Sequence, residues 1–599
     1  MKFLGDLDAK DLVLLDVKYA KDENYDDYAM LLLKNMVTGK KMVHNIKHPQ
    51  MEIFFLKPEF RDANYSQIAI SKDKLYSKIV PFRDVVKTIA KEAGGSWEKY
   101  YYDCIEQKKF RAIKNIFHYP YCFGADLDIC EYYRALWNIY YYNAGAKIEL
   151  KKTYLDIESD VIDFVGIPEI GTAPINAVSV VDETTKTAYF FGLRNAARPN
   201  PLIAKFEENI DEFYAACHDH FDDKFPGFRY QVYMVDTEVE LLQAVFGLLK
   251  KLDPDMIGIW NMSYDVQSFI ARARYLGLDP IGLFCDTRFS APQLYYWEDK
   301  RAGKVIAKKD FFDVTSMAIW TDLLQNYGKL RKGGSEIRSL KLDYISRIEL
   351  GDTKYKYRGS YDKELPYKNY FEFALYNIKD SLLLDGIEIK TDDFTNVITR
   401  ALVNASPYRA VFSQTKFLKS RFYVECFKTG FIPGNNINID YSVPFGKDDD
   451  DDEVKYDGAV VGDPELNEHV GIKIFGKRSK YVYKYVVDMD FSSFYPWTTI
   501  SFNIAPNTMY GKLLIEDKYY HGNAKNIYEE DPNLKFECGK EFVENYITGD
   551  PIRLGMNWFG LPSIEQMLDD LNEKYPKHTP IIMENKGDYL EEVNVSVDE

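Results

Sequence analysis

Long apolar segments are absent from this sequence of 599 residues. No run reaches the roughly 18 apolar residues that a membrane-spanning helix needs. The N-terminal stretch "MKFLGDLDAKDLVLLDVKYA" carries charges where an export signal would be apolar. We therefore expect a soluble, cytoplasmic protein that has no membrane partner.

Cysteine is also scarce, and the chain has no excess of positive charge. The chain has seven cysteines and no C-x-x-C pair, which argues against a disulfide framework and a zinc ribbon. The stretch "CHDHFDD" (Cys217–Asp223) has poor spacing for a tetrahedral zinc site, and we predict a solvated loop there. The net charge of −17 counts weakly against nucleic acid, because a local channel of lysine and arginine can coexist with an acidic exterior.

Hydrophobic residues make up 46% of the chain, and its length predicts about three or four domains. Short alternating runs and one helix, "FRDVVKTIAKEAGG", occupy the region up to residue 145. From "IELKKTYLDIESD" onward, strands alternate with helices in an α/β pattern, and residues 371–427 are predicted to be mostly helical. The run of carboxylates at 448–453 predicts a solvated linker.

Two pairs of polar residues are placed to share a face. In "TYLDIESD", Asp156 and Glu158 alternate with apolar residues, so a strand would point both carboxylates the same way. In "FALYNIKDSLLL", Tyr376 and Asp380 lie four apart on a predicted helix. A solvated strand edge and a surface pair are the alternatives. Apolar flanks make the carboxylate pair costly to bury unless a cation compensates, which favours a divalent metal.

A third carboxylate, Asp265, opens a predicted helix in "NMSYDVQSFIARARYLGL". Taken alone, it could be only the N-terminal cap of that helix. The ordered set D-I-E, N-x-x-Y-D and Y-x-x-x-D resembles the three exonuclease motifs of family B DNA polymerases. The stretches "SLKLDYIS" and "YNIKDSLLLDGIE" are similar to the tailed-phage replicative polymerases of that family.

This resemblance implies a ribonuclease H-like 3′–5′ exonuclease domain whose site holds two Mg²⁺ or Mn²⁺ ions. It implies that Tyr376 orients the attacking water, that Asn261 contacts the DNA strand, and that Tyr264 is an aromatic DNA-binding position beside it. The expected substrate is a single-stranded or mismatched 3′ end, since melting a paired end costs a few kcal/mol. The metal ligands that it implies are Asp156, Glu158, Asp265 and Asp380.

Two later motifs resemble the polymerase part of the same family. "YDGAVVGDP" is similar to its template clamp, which implies DNA contacts by Tyr456 and Gly458. "DFSSFYP" is similar to motif A, which implies that Asp490 and Phe491 bind metal and that Tyr495 lies beneath the sugar of the incoming nucleotide. We interpret Asp488 as a hydrogen-bonded strand-end residue, with a second metal contact as the alternative. The implied nucleotide-binding residues are Phe491, Ser492, Ser493, Phe494 and Tyr495.

Motif C (Y-G-D-T-D-like) and the fingers motif of family B do not occur between Ile500 and Glu599. We therefore expect one subunit of a split DNA-directed DNA polymerase that acts in viral DNA replication, in the host cytoplasm if a phage encodes it. A second chain would supply fingers, motif C and thumb. A stand-alone 3′–5′ exonuclease or truncated chain, and a non-catalytic primer-template binding module, are the alternatives. The expected partners are primer-template DNA, single-stranded 3′ ends, dNTPs, the second chain and a sliding clamp.

The predicted fold class is α/β multidomain, and four regions follow from the motifs. An N-terminal α+β domain covers residues 1–145, and the ribonuclease H-like exonuclease domain covers 146–390. A helical segment at 391–440 returns to the N-terminal domain. Residues 441–599 form the first part of a ferredoxin-like palm with the template clamp, motif A and the start of the fingers.

Overall fold

The computed structural model describes residues 9, 11–61, 69–141, 149–166, 168–196, 198–299, 308, 310–331, 338–356 and 363–435, and beyond these six short strands. Up to residue 435 the strands are β1 Leu12–Lys21, β2 Asp27–Asn35, β3 Lys41–Lys47, β4 Gln50–Leu56, β5 Ala69–Ser71, β6 Leu75–Pro81, β7 Cys122–Phe123, β8 Lys152–Ser159, β9 Ile175–Asp182, β10 Thr187–Leu193, β11 Arg229–Val235, β12 Met256–Ile259, β13 Leu294–Trp297, β14 Phe311–Val314, β15 Ile319–Asp322 and β16 Phe431–Pro433. The later ones are β17 Lys473–Ile474, β18 Lys477–Arg478, β19 Met509–Glu516, β20 Phe542–Asn545, β21 Thr579–Lys586 and β22 Tyr589–Asn594.

The described part of the chain also contains α-helices. They are α1 Val85–Ala93, α2 Gly95–Glu106, α3 Ile129–Tyr140, α4 Leu202–Glu208, α5 Ile210–Phe221, α6 Glu238–Leu252, α7 Met262–Tyr275, α8 Pro280–Phe284, α9 Leu323–Leu330, α10 Leu342–Leu350, α11 Leu365–Lys368, α12 Tyr370–Thr391, α13 Asp393–Val403 and α14 Gln414–Lys428. Within the described part of the chain, no helix combines the length and apolarity needed to cross a membrane.

Contacts divide the chain into two units. The first unit comprises Met1–Glu52, Lys78–Val85 and Leu127–Gly430, and the second comprises Ile53–Ser77, Val86–Asp126 and Phe431–Glu599. In the second unit, β16 pairs with β5, and β7 pairs with the end of β4. The mixture of sheets and helices agrees with the predicted α/β class, while the boundaries of the four predicted regions stay predictions.

A six-stranded mixed sheet organises the first unit, in the order β11-β10-β9-β8-β12-β15. Strand β9 runs antiparallel to both of its neighbours, β8 and β10. Strand β12 runs parallel to β8, and β15 runs parallel to β12. Strand β8 is therefore central, and residues at its carboxyl end lie near the end of β12, where α7 begins.

Apolar side chains pack on both faces of this sheet. Leu155 and Ile157 of β8 join the core that includes residues of α6 and α7. Tyr154 of β8 joins the opposite core, which includes much of α12. Because successive strand residues point to opposite faces, Asp156 and Glu158 face the α12 side. The alternation of apolar and acidic residues along β8 thus places the two carboxylates on the face of the sheet that α12 covers.

Two local predictions have opposite outcomes. Residues 371–427 are mostly helical, as predicted, in α12, α13 and α14. The solvated loop predicted for Cys217–Asp223 is wrong over most of its length, because α5 continues to Phe221. Cys217 and Phe221, one turn apart, are both buried in the core on the α12 side of the sheet. This helical spacing was hidden by the polar residues between them.

Candidate metal centre

Three carboxylates from β8 and α12 converge. Oxygen atoms of Asp156, Glu158 and Asp380 all lie within 4.8 Å of one another. Asp380 is 1% exposed, and its Oδ1 has no hydrogen-bond partner within the described part of the chain. A solvated strand edge and a surface helix pair, the two alternatives weighed for these residues, do not describe this geometry.

Asp265 is not one of the three carboxylates whose oxygens lie within 4.8 Å of one another, but the charges of Asp156 and Glu158 act on it. It is buried in the first turn of α7, and Asn261 is the N-cap residue of that helix. Burial, and then the charges of Asp156 and Glu158, raise the pKa of Asp265 well above its ordinary value. The cap alternative therefore does not account for Asp265. We call Asp156, Glu158, Asp265 and Asp380 the acidic cluster.

The acidic cluster is electrostatically unfavourable without a metal cation. Burial, and then the charge of Asp380, raise the pKa of Asp156 to about 7. Burial, and then Asp156 and Asp380, raise the pKa of Glu158 well above its ordinary value. Carboxylate oxygens are the donors that Mg²⁺ and Mn²⁺ prefer, and a divalent ion would offset this repulsion. The donor set and the orphaned Asp380 oxygen thus fit a divalent cation.

Tyr376 lies one turn before Asp380 on α12, and Lys354 contacts both. The Lys354 Nζ donates hydrogen bonds to Asp380 Oδ2 at 2.5 Å and to Tyr376 Oη at 3.0 Å. Burial, and then the charge of Asp380, raise the pKa of Tyr376, so the phenol keeps its proton at neutral pH. Burial alone would lower the pKa of Lys354, but Asp380, Tyr376 and Asp156 together raise it. Lys354 therefore stays charged.

Sequence reasoning missed Lys354 and Asn377. Lys354 lies in "GDTKYKYRGS", a polar run without helix or strand periodicity, so no pattern marked it. Asn377 is fully buried, and its side-chain amide donates to Asp156 Oδ2 at 3.0 Å. An asparagine beside the apolar residues of "FALYNIKDSLLL" was an available signal, because a buried amide needs a hydrogen-bond partner.

A further missed carboxylate, Asp322, ends β15. It is 8% exposed and accepts a hydrogen bond from the Gln325 backbone N–H at the start of α9. Burial raises the pKa of Asp322 to about 7, and Asp322 in turn raises that of Asp265. In "WTDLL", Asp322 stands directly before a helix, and this position predicts an N-terminal cap. The hydrogen bond from Gln325 shows that Asp322 has this role in α9.

The two predicted DNA contacts of this region lie at the start of α7. Asn261 is exposed, and its Oδ1 accepts a hydrogen bond from Ser263 Oγ at 3.2 Å. Tyr264 is half-buried, and its hydroxyl contacts Ser159 Oγ, at the end of β8, at 3.3 Å. Both residues thus lie on the element that carries Asp265 into the acidic cluster, and Tyr264 reaches the strand that carries Asp156 and Glu158.

The predicted template clamp and motif A lie outside the described residues, as does the predicted linker at 448–453. Their roles in binding DNA, metal and nucleotide stay predictions. The residues concerned are Tyr456, Gly458, Asp488, Asp490, Phe491, Ser492, Ser493, Phe494 and Tyr495.

Comparison with known proteins gives one informative relative. No family model matches the chain. Among curated proteins, the chain is similar to the DNA-directed DNA polymerase of Escherichia phage RB69, with 25% identity over 414 residues. The matched region covers 67% of this chain and 40% of that protein. The chain thus spans about two fifths of the length of this relative.

Proposed function

Because this chain is related to phage family B DNA polymerases over their N-terminal region, we propose that its acidic cluster is the active site of a 3′–5′ exonuclease. The proposed substrate is a single-stranded or mismatched 3′ end of DNA. The convergence of Asp156, Glu158 and Asp380 within 4.8 Å is the observation that carries this proposal. The mixed sheet, with three antiparallel strands followed by two parallel ones, supports a ribonuclease H-like domain.

The acidic cluster would hold two Mg²⁺ or Mn²⁺ ions. When bound, such a pair stabilises the attacking and leaving oxygens of an in-line phosphoryl displacement. The protein's own groups orient the reactants. The Tyr376 hydroxyl accepts a hydrogen bond from Lys354 and also hydrogen-bonds Asp380. It keeps its proton near neutral pH, so it can orient a water molecule by hydrogen bonding but cannot act as a base. Asn377 holds Asp156 in place.

Substrate binding is proposed for the start of α7. Asn261 is exposed and can contact the terminal nucleotide, and the ring of Tyr264 offers a surface for stacking. An unpaired end reaches a site of this kind at lower cost than a paired one, since a paired end must first be melted. This difference would favour removal of mismatched nucleotides.

Release of nucleotides from 5′-labelled single-stranded DNA, in the presence of Mg²⁺, tests the exonuclease. We expect the wild-type chain to shorten the DNA from its 3′ end and the double variant D156A/E158A to be inactive. Asp385→Asn is a matched control, because Asp385 is a buried carboxylate on α12 that lies outside the acidic cluster. Full activity of the double variant would contradict the proposal. It would also favour a binding module without catalysis.

DNA synthesis is proposed through motif A, with Asp490 as a metal ligand and dNTPs as substrates. A requirement for a second chain with fingers, motif C and thumb, a sliding clamp as partner and a cytoplasmic location stay predictions. Primer extension by this chain, alone and with a candidate second chain, tests the requirement. Extension only with the second chain would support a split polymerase, whereas degradation without extension under both conditions would favour a stand-alone nuclease.

A further inference from the structure

Two ion pairs of opposite polarity join a short segment to consecutive residues of α12. Asp352 accepts a hydrogen bond from Lys379 Nζ at 2.5 Å, and Lys354 donates one to Asp380 Oδ2 at 2.5 Å. The segment, residues 351–356, follows α10 directly. One acid and one base of the segment therefore meet one base and one acid of the helix. The second pair lies in the acidic cluster, whereas the first lies beside it.

The Lys379 side chain is a fixed anchor point. Lys379 is 5% exposed, and its ammonium lies over the ring of Phe225, 4.5 Å from the ring centre, and 5.4 Å from that of Phe221. A buried ammonium needs a counter-charge, since desolvation of a lone charge is costly. Asp352 supplies it, and its own side chain is 20% exposed. The buried Lys379 ammonium, which is not accessible to bulk water, thus holds the segment at Asp352.

Other contacts restrict the segment less strongly. Gly351 ends α10 with φ of +64°, and the backbone N–H of Lys354 donates to Asp343 Oδ1 at 3.3 Å. The ring of Tyr355 packs edge-on against His220, with ring centres 5.4 Å apart. Only one residue separates Asp352 from Lys354, so the Lys354 Cα atom stays within about 7 Å of an anchored Asp352 Cα atom.

We propose that the Asp352–Lys379 ion pair is a positioning device that holds residues 351–356 so that the Lys354 ammonium reaches Tyr376 and Asp380. This inference rests on the proposed exonuclease function. Neither Asp352 nor Lys379 belongs to the acidic cluster. The proposed positioning acts through Lys354, beside the direct attraction between Lys379 and Asp380. Loss of the pair would let Lys354 withdraw from Tyr376, whose hydroxyl would then lose the hydrogen bond that it accepts from Lys354.

A double-mutant cycle separates positioning from a merely structural role. The paired change D352L/K379M removes both charges and leaves no buried lysine unpaired, which keeps the unit folded. We expect it to lower kcat for single-stranded DNA about tenfold, with little change in KM, as for other residues that orient a metal site. In a Lys354→Met background the same paired change should lower kcat less than about twofold, because the contribution of Lys354 is already absent there.

The matched control removes a comparable ion pair elsewhere in the unit. Arg331 and Asp393 are joined by two hydrogen bonds of 2.7 and 3.0 Å, and Asp393 is 6% exposed. R331M/D393L should leave kcat unchanged. Equal losses of kcat by the paired change in the wild-type and Lys354→Met backgrounds would overturn the proposal, and so would an unchanged kcat.

Amide hydrogen exchange tests the device without relying on activity. Exchange of the 351–356 amides should accelerate in D352L/K379M and not in R331M/D393L. Unaltered exchange would overturn the proposal. If the wild-type chain does not degrade DNA, the exonuclease proposal fails by itself, and faster exchange would still show that the ion pair holds the segment.

Discussion

The hydrogen bond from Asn377 to Asp156 permits a quantitative test of the metal centre. Asn377→Leu removes the amide donor and leaves a side chain of similar size, so no large cavity results. A hydrogen bond to a charged group contributes about 1.5–3 kcal/mol. Loss of a group that orients a metal ligand typically lowers metal affinity about 10–100-fold, which corresponds to about 1.4–2.7 kcal/mol. The two energies agree. We therefore expect the Mg²⁺ concentration for half-maximal activity to rise about 10–100-fold in Asn377→Leu.

The sign of the pH dependence follows from the same contact. Burial and the charge of Asp380 raise the pKa of Asp156 to about 7, even though the Asn377 hydrogen bond lowers it. Without this hydrogen bond, the pKa of Asp156 rises further, and protons compete better with Mg²⁺ near neutral pH. The Mg²⁺ defect of Asn377→Leu should therefore be larger below the pKa of Asp156 and smaller above it.

The assay measures the Mg²⁺ concentration that gives half-maximal nucleotide release, at several pH values. Asn138→Leu is the matched control, because Asn138 is also a buried asparagine, and its amide donates to the Leu402 backbone carbonyl at 3.0 Å, away from the acidic cluster. Both variants should lose stability, but only Asn377→Leu should shift the Mg²⁺ requirement. Equal Mg²⁺ curves for the two variants would refute the reasoning.

Two further predictions follow from buried charge. Mg²⁺ binding near neutral pH should release protons, because the acidic cluster is partly protonated without metal. Calorimetry in two buffers of different ionisation enthalpy measures this release. Equal heats of Mg²⁺ binding in the two buffers would contradict the prediction. Arg272 and Glu238 form a buried ion pair, with Arg272 Nε and Nη2 at 2.8 and 2.5 Å from the Glu238 carboxylate. Arg272→Met breaks this pair and should lower the free energy of unfolding, measured by denaturant titration, by about 3–5 kcal/mol. The exposed pair of Lys368 and Glu364 is the control, since Lys368→Met should cost less than about 1 kcal/mol; equal costs would contradict the argument.

The geometry of the acidic cluster could be predicted where it depends on periodicity. Strand alternation places Asp156 and Glu158 on one face, and helical spacing places Tyr376 one turn from Asp380. Both follow from the chain's local geometry, which the sequence carries directly. That the two elements meet does not follow from pattern alone, because only Tyr154 among the apolar residues of β8 shares a core with α12, whereas Leu155 and Ile157 pack in the opposite core.

Residues outside regular elements could not be predicted in this way. Lys354 reaches Asp380 only because α10 ends at Gly351 and the following segment lies along α12. That placement depends on contacts between residues that lie far apart in sequence. The helix at Cys217–Phe221 was missed for a related reason: its buried residues make sense only once the core that they enter is known.

The acidic net charge of the whole sequence also proves a poor guide to this site. The net charge of −17 describes the sum over the chain, whereas the acidic cluster responds to charges within a few ångströms. Lys354, although its side chain is 32% exposed, lowers the pKa of all four carboxylates of the acidic cluster. A single ammonium does not neutralise four acids, and the pKa of each stays raised. The remaining negative charge is what a divalent cation would bind, so the acidic balance of the chain and its proposed chemistry on DNA are compatible.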